Sequence, residues 1–578
     1  MSDYDLVIRG GTLLDGSGAE PVQADVAVKD GVIAAVGPNL GRGAEEIAAR
    51  GLLVTPGFVD IHTHYDGHVT WENRLRPSSC HGVTTAIMGN CGVGFAPCRP
   101  QDHDTLIRLM DGVEDIPFPV LAEGLPWTWE SFPDYLNLLA QRQYDMDVAC
   151  YLPHAALRVY VMGERGANRE PATAADIRQM CALLEEALDA GAMGIATSRT
   201  LFHRSSDGKP IPTLDASNDE LLALADTLRK KGKGVFQIVE DIQLPDKDLS
   251  ILRQLAERSG QPLTFSLGTS NTGPYRWPQL LDYLAKANRD GVVIKGQVMP
   301  RGIGMLLGVE LTLNPFYTTA GYREVADLPL AQRLQRLRDP ALRARILSEP
   351  MDPDPLLVLG RIVRDFDHMF LLGDPPDYEQ PWEQSIAGRA RAQGVTPEAL
   401  AYDLMLEGAS GTHLYLTIAN YADGKLDAIG RMLGHPDVLP GLGDGGAHAA
   451  TICDGSYSTF LLTHWGRDRP QGRLPLPLLV ERLSRATALT MGLKDRGLVA
   501  PGYKADINII DFQRLGLHAP EITHDLPSGG MRLVQRATGY VATLVNGVPV
   551  YREGEAAGAL PGRLVRGEQA APTEAASR

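Results

Sequence analysis

The chain has 578 residues and a formal net charge of -16, with 44% hydrophobic and 22% charged residues. This is the composition of a globular protein too long for one simple core, so we expect more than one structural unit. The excess of acidic residues argues against nucleic acid as the main partner. No apolar run approaches the roughly 18–20 residues needed to span a bilayer, so we expect no membrane association.

Two features of the sequence bear on the compartment. The N-terminus, Met1 to Asp5, is acidic and lacks the basic-then-apolar order of a secretion signal. Six cysteines in so long a chain do not suggest a disulfide framework. We therefore expect a reducing, cytoplasmic setting.

Both ends of the chain show β patterns. The predicted strands are 5–10, 24–28, 32–36, 505–510, 541–545 and 548–551. Asp30-Gly31 and Asn546-Gly547 are signals for tight hairpin turns. We expect residues 1–55 and 499–560 to pair into one small β-sandwich. Residues 561–578 are biased towards Ala, Glu, Pro and Ser near their end, and we expect a disordered tail.

The middle of the chain alternates between strand and helix patterns. The predicted strands are 53–61, 83–88, 148–152, 192–197, 235–239, 263–267, 292–298 and 438–443. Most are continuous apolar runs, as expected for parallel strands covered on both faces. An apolar stripe at helical spacing within 177–188 and a capping-box start at Ser217 indicate helices between them. Eight such strands favour an α/β fold with a TIM-like (β/α)8 barrel over residues 56–498.

One gap interrupts this alternation. More than a hundred residues separate the seventh and eighth predicted strands, too many for a simple connection. We expect a lid-like insertion at about residues 300–435, packed over the carboxyl ends of the strands, where a barrel keeps its chemistry.

The most informative motif is His62-Thr63-His64, which follows the first barrel strand. Alternate residues of a strand point the same way, so the two imidazoles can share one metal ion. A bare His-x-His is more often part of a polar turn, and the surrounding strand-helix pattern is what favours a metal site here.

Cys91 follows the second predicted strand and Asp444 ends the eighth. The carboxyl ends of barrel strands meet on one face, so these residues would join His62 and His64. Two imidazoles and a thiolate suit zinc, and a carboxylate can shuttle the proton of an attacking water. Taken alone, Cys91 suits a buried core position and Asp444 suits a turn.

Other candidates have weaker support. Lys295 lies within an apolar strand and is either a carbamylated metal ligand or, more simply, a lysine that reaches the surface. His203 and His448 have no spacing argument; we place His448, with Gln237, on the substrate-binding side of the site. Cys91 could instead be the nucleophile of a cysteine hydrolase with His62 or His64 as its base.

Three segments resemble the amidohydrolase superfamily: residues 56–64 (PGFVDIHTH), the aspartate at position 444, and residues 502–506 (GYKAD). Residues 84–93 (TTAIMGNCGV) and 444–448 (DGGAH) are similar to the N-acyl-D-amino-acid deacylases, or D-aminoacylases. The similarity extends over roughly residues 1–560. It is more specific for the superfamily than for the subfamily.

The resemblance implies a barrel with a β-sandwich built from both termini, and an insertion after the seventh strand that covers the pocket. It implies one or two zinc ions bound through Cys91, with His62 and His64 at the same site. It makes Asp444 the general base and acid.

The sequence also departs from the deacylase pattern. The deacylases carry zinc-binding histidines at the ends of strands five and six, whereas strand five here has Gln237 and strand six has none. The lysine and arginine with which deacylases hold a substrate carboxylate are missing as well. An unpaired buried carboxylate is expensive, so the sequence argues against an N-acyl amino acid with a free carboxylate.

The first hypothesis is a metal-dependent hydrolase that cleaves a non-peptide C–N bond of a small molecule, either an N-acyl amino acid-like compound or a cyclic amide. The alternatives are a metal-poor relative that binds a ligand without cleaving it, and the cysteine hydrolase. The expected partner is a small-molecule amide, and a homo-oligomer is a further expectation.

Overall fold

The computed structural model describes residues 2–242, 245–271, 273, 275–350, 362–408 and 411–573. Every helix in these ranges is too short or too polar to cross a lipid bilayer.

The two ends of the chain pair with each other in one mixed sheet. Its strands, as far as the chain is described, are Tyr4–Leu13, Val22–Lys29, Val32–Gly37, Gly43–Ala48, Leu53–Pro56, Ile507–Ile510, Tyr540–Val545, Val548–Arg552 and Glu555–Ala556. Strand Ile507–Ile510 pairs antiparallel with Leu53–Pro56 on one side and Tyr540–Val545 on the other. Apolar side chains from both ends, among them Val26 and Leu544, share one core.

We expected a sandwich, but the structure joins these strands into a single curled sheet. The register shifts inside several strand pairs, for example between Ile8 and Gly11, and such bulges bend a strand and increase its twist. The edge strand Val32–Gly37 lies beside the segment that precedes strand Ile507–Ile510, and Ile33 N donates to Tyr503 O in that segment at 2.8 Å. The sheet therefore encloses its own core.

The middle of the chain forms two parallel sheets. The smaller contains Phe58–Asp60, Val83–Met88 and Asp147–Cys150, and the larger, within the described residues, contains Leu152–Pro153, Gly194–Arg199, Val235–Glu240, Leu263–Ser266, Ile294–Val298 and Val438–Pro440. Each of the eight predicted strands overlaps at least one strand of these two sheets, although the bounds differ by a few residues. Only Tyr151 separates the last strand of the smaller sheet from the first strand of the larger, and Thr63 forms a parallel bridge with Gly445.

The first predicted strand, 53–61, is broken at Gly57. Its first half belongs to the sheet of the chain ends and its second half to the parallel sheet. Gly57 N donates to Asp506 O, and a Cβ at this position would lie 2.2 Å from Oγ1 of Thr84. The glycine thus permits the close approach at which the chain passes from one sheet to the other.

Helices connect and cover the parallel strands. The α-helices are His68–Trp71, His103–Glu114, Phe118–Gly124, Phe132–Ala140, His154–Met162, Glu164–Ala167, Ala174–Ala190, Asn218–Lys231, Pro245–Ser259, Trp277–Arg289, Ala320–Ala326, Leu330–Leu337, Pro340–Ser348, Ile386–Gln393, Pro397–Met405, Asp427–Leu433, Tyr457–Phe460, Leu476–Glu481 and Thr487–Thr490, with π-helical turns at Leu461–Asp468 and Arg482–Ala486. The long helices 174–190 and 218–231 begin at Thr173 and Ser217, whose side chains accept hydrogen bonds from the first turn.

The long gap after the seventh strand holds a separate module. Ile303–Leu307, Met369–Leu371 and Leu414–Ala419 form an antiparallel sheet that packs with helices 320–348 and 386–405 around a core of its own, including Met305 and Phe316. Residues 351–361 and 409–410 of this stretch lie outside the described chain. The module meets the loops at the carboxyl ends of the strands, where Asn420 N donates to Thr269 O.

The expectation of a disordered tail from residue 561 is wrong for the residues described. Gly562 exchanges main-chain hydrogen bonds with Tyr144, and Val565 N donates to Val148 O at 2.8 Å. Gln569 N donates to Gly492 O at 3.0 Å. The bias towards Ala, Glu, Pro and Ser lies mainly after residue 569. Residues 562–569 are polar, and main-chain hydrogen bonds rather than buried side chains hold them in place. Residues 574–578 lie outside the described chain.

Candidate metal and catalytic site

His62 and His64 lie directly beyond strand Phe58–Asp60, in a segment held on both sides. Thr63 N donates to Ile87 O at 3.1 Å, and His64 N donates to Gly445 O at 2.8 Å. Both imidazoles are almost fully buried. Burial lowers the pKa of His62 to about 4, so the ring is neutral and offers a lone pair.

Cys91 joins the two histidines through a strained turn. Its φ of 58° is in the left-handed region, which is uncommon for a side-chain-bearing residue. Cys91 N donates to Oε1 of Gln237 at 3.0 Å, and Sγ lies 3.4 Å from Nε2 of His62 and 3.9 Å from Nε2 of His64. Such strain at a buried polar position is typical of a functional site.

Asp444, which follows strand Val438–Pro440, completes the group. It also has a positive φ, 45°, and its side chain is about one quarter exposed. Oδ1 lies 3.4 Å from Nε2 of His62 and 3.6 Å from Nε2 of His64. Burial alone would raise the pKa of Asp444, but the hydrogen bond from His64 and the other imidazoles beside it hold it well below its usual range. The carboxylate is therefore ionised and can accept a proton.

These donor atoms fit one ion. The ligand atoms of His62, His64 and Cys91 all lie within 4.8 Å of one another. Zinc bonds of 2.0–2.3 Å in a tetrahedron place neighbouring ligand atoms about 3.3–3.7 Å apart, close to the distances measured here, including those to Asp444. Two imidazoles, a thiol and a carboxylate are ligands that zinc accepts.

Gln297, a residue we did not single out from the sequence, orients His62. Its Oε1 lies 2.7 Å from Nδ1 of His62, and its Nε2 donates to Oγ1 of Thr264 at 3.1 Å. The amide oxygen requires a proton on Nδ1, which leaves Nε2 of His62 free to bind a metal. Gln297 lies on strand Ile294–Val298, but nothing in its sequence context marks it as functional.

Glu114 is the second residue that the sequence did not indicate. It ends helix His103–Glu114 and is almost fully buried. Oε1 lies 3.3 Å from Nδ1 of His64, and Oε2 lies 3.5 Å from Nε2 of His448. Burial raises the pKa of Glu114, and the adjoining His64 opposes that shift. This carboxylate faces the side of His64 that a metal would leave free.

The structure brings the two predicted substrate-binding residues to the edge of this group. Gln237 is fully buried and supports the Cys91 turn, while its Nε2 has no hydrogen-bond partner in the described chain. His448 is about one fifth exposed and has a φ of 51°. Their assignment to substrate remains a prediction.

Lys295 and His203 each contact a residue other than the metal donors. Lys295 Nζ lies 2.6 Å from Oδ1 of Asp437, just before strand Val438–Pro440, so it is in a partly exposed ion pair and the carbamylated-ligand interpretation is not supported. His203 Nδ1 lies 2.9 Å from Oγ of Ser198, a residue of strand Gly194–Arg199. Burial and the neighbouring His64 lower the pKa of His203 to about 3, so its ring is neutral.

Cys91 does not have the environment of a nucleophile. Burial raises the pKa of its thiol to about 12, although the hydrogen bond to His64 acts in the opposite direction. Nucleophilic cysteines need a depressed pKa to supply thiolate. The donor set favours metal binding over a covalent cysteine mechanism.

Comparison with known proteins identifies the family of this chain. The sequence pattern of the amidohydrolase family matches residues 45–551. D-aminoacylase of Alcaligenes xylosoxydans xylosoxydans is 27% identical over 568 residues, which cover 97% of each chain.

Solved structures show the same fold. A crystal structure of D-aminoacylase has a TM-score of 0.63 at 23% identity, covering 98% of this chain and 100% of that one. N-acyl-D-glutamate deacylase from Bordetella bronchiseptica, complexed with zinc and a phosphonate inhibitor, has a TM-score of 0.65 at 21% identity, covering 97% and 99%. Since the family pattern spans most of the chain, the protein belongs to the amidohydrolase family, in which it is similar to D-aminoacylase.

Proposed function

We propose that this protein is a metal-dependent hydrolase that cleaves an amide C–N bond, other than a peptide bond, in a small molecule. The observation that carries the proposal is the convergence of His62, His64 and Cys91 with the carboxylate of Asp444 around one point. Membership of the amidohydrolase family and the likeness to D-aminoacylase support the reaction type.

Each residue has a distinct proposed task. His62, His64 and Cys91 would hold a zinc ion, which supplies Lewis-acid polarisation of the carbonyl and a nucleophile at neutral pH. Asp444 takes the proton of the attacking water and returns it to the leaving nitrogen, as general base and then general acid. Gln297 fixes the tautomer of His62, and Glu114 faces His64 from behind.

We further propose that the two parallel sheets are one (β/α)8 barrel. The chain runs from one sheet into the other through Tyr151, and the bridge between Thr63 and Gly445 joins the first and last strands. In this division, residues 56–498 form the barrel and 1–55 with 499–560 the sheet domain. The module at about 300–435 is a lid-like insertion over the site.

The function can be tested with protein purified without chelator. We expect about one equivalent of zinc by elemental analysis and hydrolysis of some members of a panel of N-acyl amino acids, hydantoin-like rings and peptides. Removal of the metal should abolish turnover, and added zinc should restore it, because the donor atoms of His62, His64 and Cys91 match one ion.

Two outcomes would replace the proposal. Metal well below one equivalent that added zinc does not restore would indicate a ligand-binding relative. Turnover by metal-free protein that alkylation of Cys91 abolishes would indicate a cysteine hydrolase.

A further inference from the structure

His203 is a partly buried histidine to which the proposed mechanism gives no task. It follows strand Gly194–Arg199, at the carboxyl ends of the parallel strands. Its loop is held in place, because Ser206 N donates to Arg108 O at 2.9 Å and Ile211 N donates to His203 O at 3.3 Å. The imidazole is therefore carried on a loop that is tied to a neighbouring helix.

Ser198 places this ring on the face of the strands that carries the metal donors. Ser198 lies two residues beyond Ala196, so both side chains point to the same face. Ala196 is paired in register with Gln237, which accepts a hydrogen bond from Cys91 N on that face. Nδ1 of His203 lies 2.9 Å from Oγ of Ser198. The imidazole consequently lies beyond the level of Gln237, nearer the carboxyl ends of the strands.

The ionisable groups around His203 are those of the candidate metal site. After burial, the largest influences on the pKa of His203 come from the two histidines of the His-x-His motif, His448 and Asp444. The three donors that lie within 4.8 Å of one another in the described chain do not include His203. Its ring thus faces the metal donors and Asp444 without joining the group that would hold the ion.

Ser198 also sets the tautomer of the ring. Ser198 is fully buried, and Nδ1 of His203 is the hydrogen-bonding partner of its hydroxyl among the described residues. A buried hydroxyl proton without an acceptor is costly, so the hydroxyl donates to Nδ1 and the ring proton lies on Nε2. Burial lowers the pKa of His203 to about 3. Near pH 7 the ring is therefore neutral, with one N–H that a ligand can accept from.

We propose that Nε2–H of His203 binds the oxygen of the scissile carbonyl and stabilises the negative charge that develops on it. The inference rests on the proposed hydrolase function and adds a catalytic residue to it. When the water oxygen bonds to the carbonyl carbon, the water proton goes to Asp444 and an electron pair of the C=O bond moves onto the carbonyl oxygen. Hydrogen bonds that strengthen with this charge lower the barrier.

His203 keeps its own proton throughout this sequence. When the tetrahedral intermediate collapses, the C–N bond breaks and Asp444 returns the proton to the leaving nitrogen. The inward residues of the next two strands, Gln237 and Thr264, are neutral and offer no cation for the charged oxygen. An imidazole whose pKa is far below 7 donates a hydrogen bond without releasing its proton, so it can serve in every turnover.

The first test combines kinetics with zinc analysis, using N-acetylleucine in both enantiomers and hydantoin as substrates. His203→Phe keeps a planar ring and removes the N–H. Its kcat should fall about 10²- to 10³-fold, the usual effect of losing one oxyanion donor. KM should change less than about 3-fold, because the donor acts mainly on the charged oxygen. Elemental analysis should show the native zinc content.

Three further variants separate the N–H from its surroundings. His203→Gln should recover part of the loss, because the glutamine amide also carries an N–H donor. Ser198→Ala should lower kcat less than His203→Phe does, since the ring keeps an N–H and loses only its fixed tautomer. His524→Phe is the matched control at a position that is 57% exposed, and it should leave kcat unchanged. Melting curves should show that all four variants are folded.

Affinity for a tetrahedral mimic gives a second readout that needs no turnover. The probe is the methylphosphonamidate analogue of N-acetylleucine, in which tetrahedral phosphorus with an anionic oxygen replaces the carbonyl carbon. Calorimetry on the zinc-loaded protein should show that His203→Phe weakens its binding about 10- to 100-fold, as expected for a lost hydrogen bond to a charged group. His524→Phe should bind the mimic as the native protein does.

The outcomes distinguish this proposal from the proposed function. A kcat and a mimic affinity in His203→Phe that are both within about threefold of the native values would remove His203 and leave the hydrolase intact. Loss of zinc from this variant would make His203 a metal ligand and would overturn the proposal as well. If the native protein cleaves no member of the panel, the proposed function fails and the mimic alone decides. Weaker binding in His203→Phe would then retain the donor, and equal or absent binding would remove it.

Discussion

The strand ends around the candidate site form two halves that differ in chemistry. On the side of strands Phe58–Asp60, Val83–Met88 and Val438–Pro440, the strand ends carry two imidazoles, a thiol and a carboxylate within contact distance. On the side of strands Val235–Glu240 and Leu263–Ser266, the inward positions are Gln237 and Thr264, both neutral and buried. The first half, called the metal half below, can hold a metal ion. The second, the neutral half, offers hydrogen bonds.

Gln237 and Thr264 carry no imidazole, thiol or carboxylate, yet both are tied to the half that holds the metal donors. Gln237 accepts from Cys91 N, and Thr264 accepts from the amide that orients His62. The neutral half therefore supports the side chains of the metal half.

The largest expected effect is on the rate of hydrolysis and comes from a substitution in the metal half. Asp444→Asn removes the proton carrier but keeps the shape of the side chain, so hydrolysis should fall roughly 10³- to 10⁴-fold. Elemental analysis should show unchanged metal content, because His62, His64 and Cys91 remain. Turnover within about tenfold of the native protein would remove Asp444 from the mechanism.

The next largest effect is on the free energy of unfolding and comes from a buried ion-pair network on the side of the neutral half. Glu220 is buried between Arg158 and His154, which begins the helix after strand Leu152–Pro153. Removing one partner of a buried ion pair costs about 3–5 kcal/mol, and urea unfolding of Glu220→Gln at pH 7 should show this loss. Glu185→Gln, whose partner Lys230 is exposed, should cost less than about 1 kcal/mol.

The same network predicts a pH dependence. Burial would raise the pKa of Glu220, but hydrogen bonds from His154 and Arg158 lower it to about 2. The folded pKa is below the unfolded value of about 4.3, so the stabilisation is complete above that value and is lost as pH falls towards 2. The difference in unfolding free energy between the native protein and Glu220→Gln should shrink over this window, and a constant difference would contradict the assignment.

Glu114 tests whether the metal half depends on a carboxylate behind it. Glu114→Gln should weaken zinc binding about 10- to 100-fold, the usual effect of losing a carboxylate partner of a ligating histidine. Competition with a chromophoric chelator measures this affinity. Glu123→Gln, at an exposed position of the next helix, is the control, and equal affinities in the two variants would show that Glu114 does not act through His64.

The smallest expected effect is on zinc affinity and comes from Gln297, which connects the two halves. Gln297→Leu removes the acceptor for Nδ1 of His62, so zinc affinity should fall about tenfold as the imidazole loses its fixed tautomer. Thr264 contacts His62 only through Gln297, so Thr264→Val should have a smaller effect on the same titration. If Thr264→Val weakens zinc binding more than Gln297→Leu does, this order of hydrogen bonds is wrong.

Much of the architecture could be predicted because periodic burial is local. The apolar runs placed the parallel strands to within a few residues, and the turn signals placed the hairpins at both ends. The break of the first strand at Gly57 was missed, because the approach of Thr84 that requires a glycine there involves a distant residue. The order of residues 562–569 was missed for the same reason, since their partners are main-chain groups far away in the chain.

The candidate site divides in the same way. His62, His64, Cys91 and Asp444 could be selected because each is a chemically distinctive residue at a predicted strand end. Glu114 and Gln297 could not, because carboxylates and amides are common and nothing in their neighbouring sequence sets them apart. Their importance depends on what they face, which is a property of the folded chain.

The sequence by itself determined the alternation of strands and helices, the residues able to bind a metal, and membership of the amidohydrolase family, because these follow from residue type and local spacing. Only the tertiary structure decided which of these donors meet within a few ångströms and which buried amide fixes an imidazole. Contacts between residues hundreds of positions apart arise from packing of the whole chain, and no local pattern encodes them.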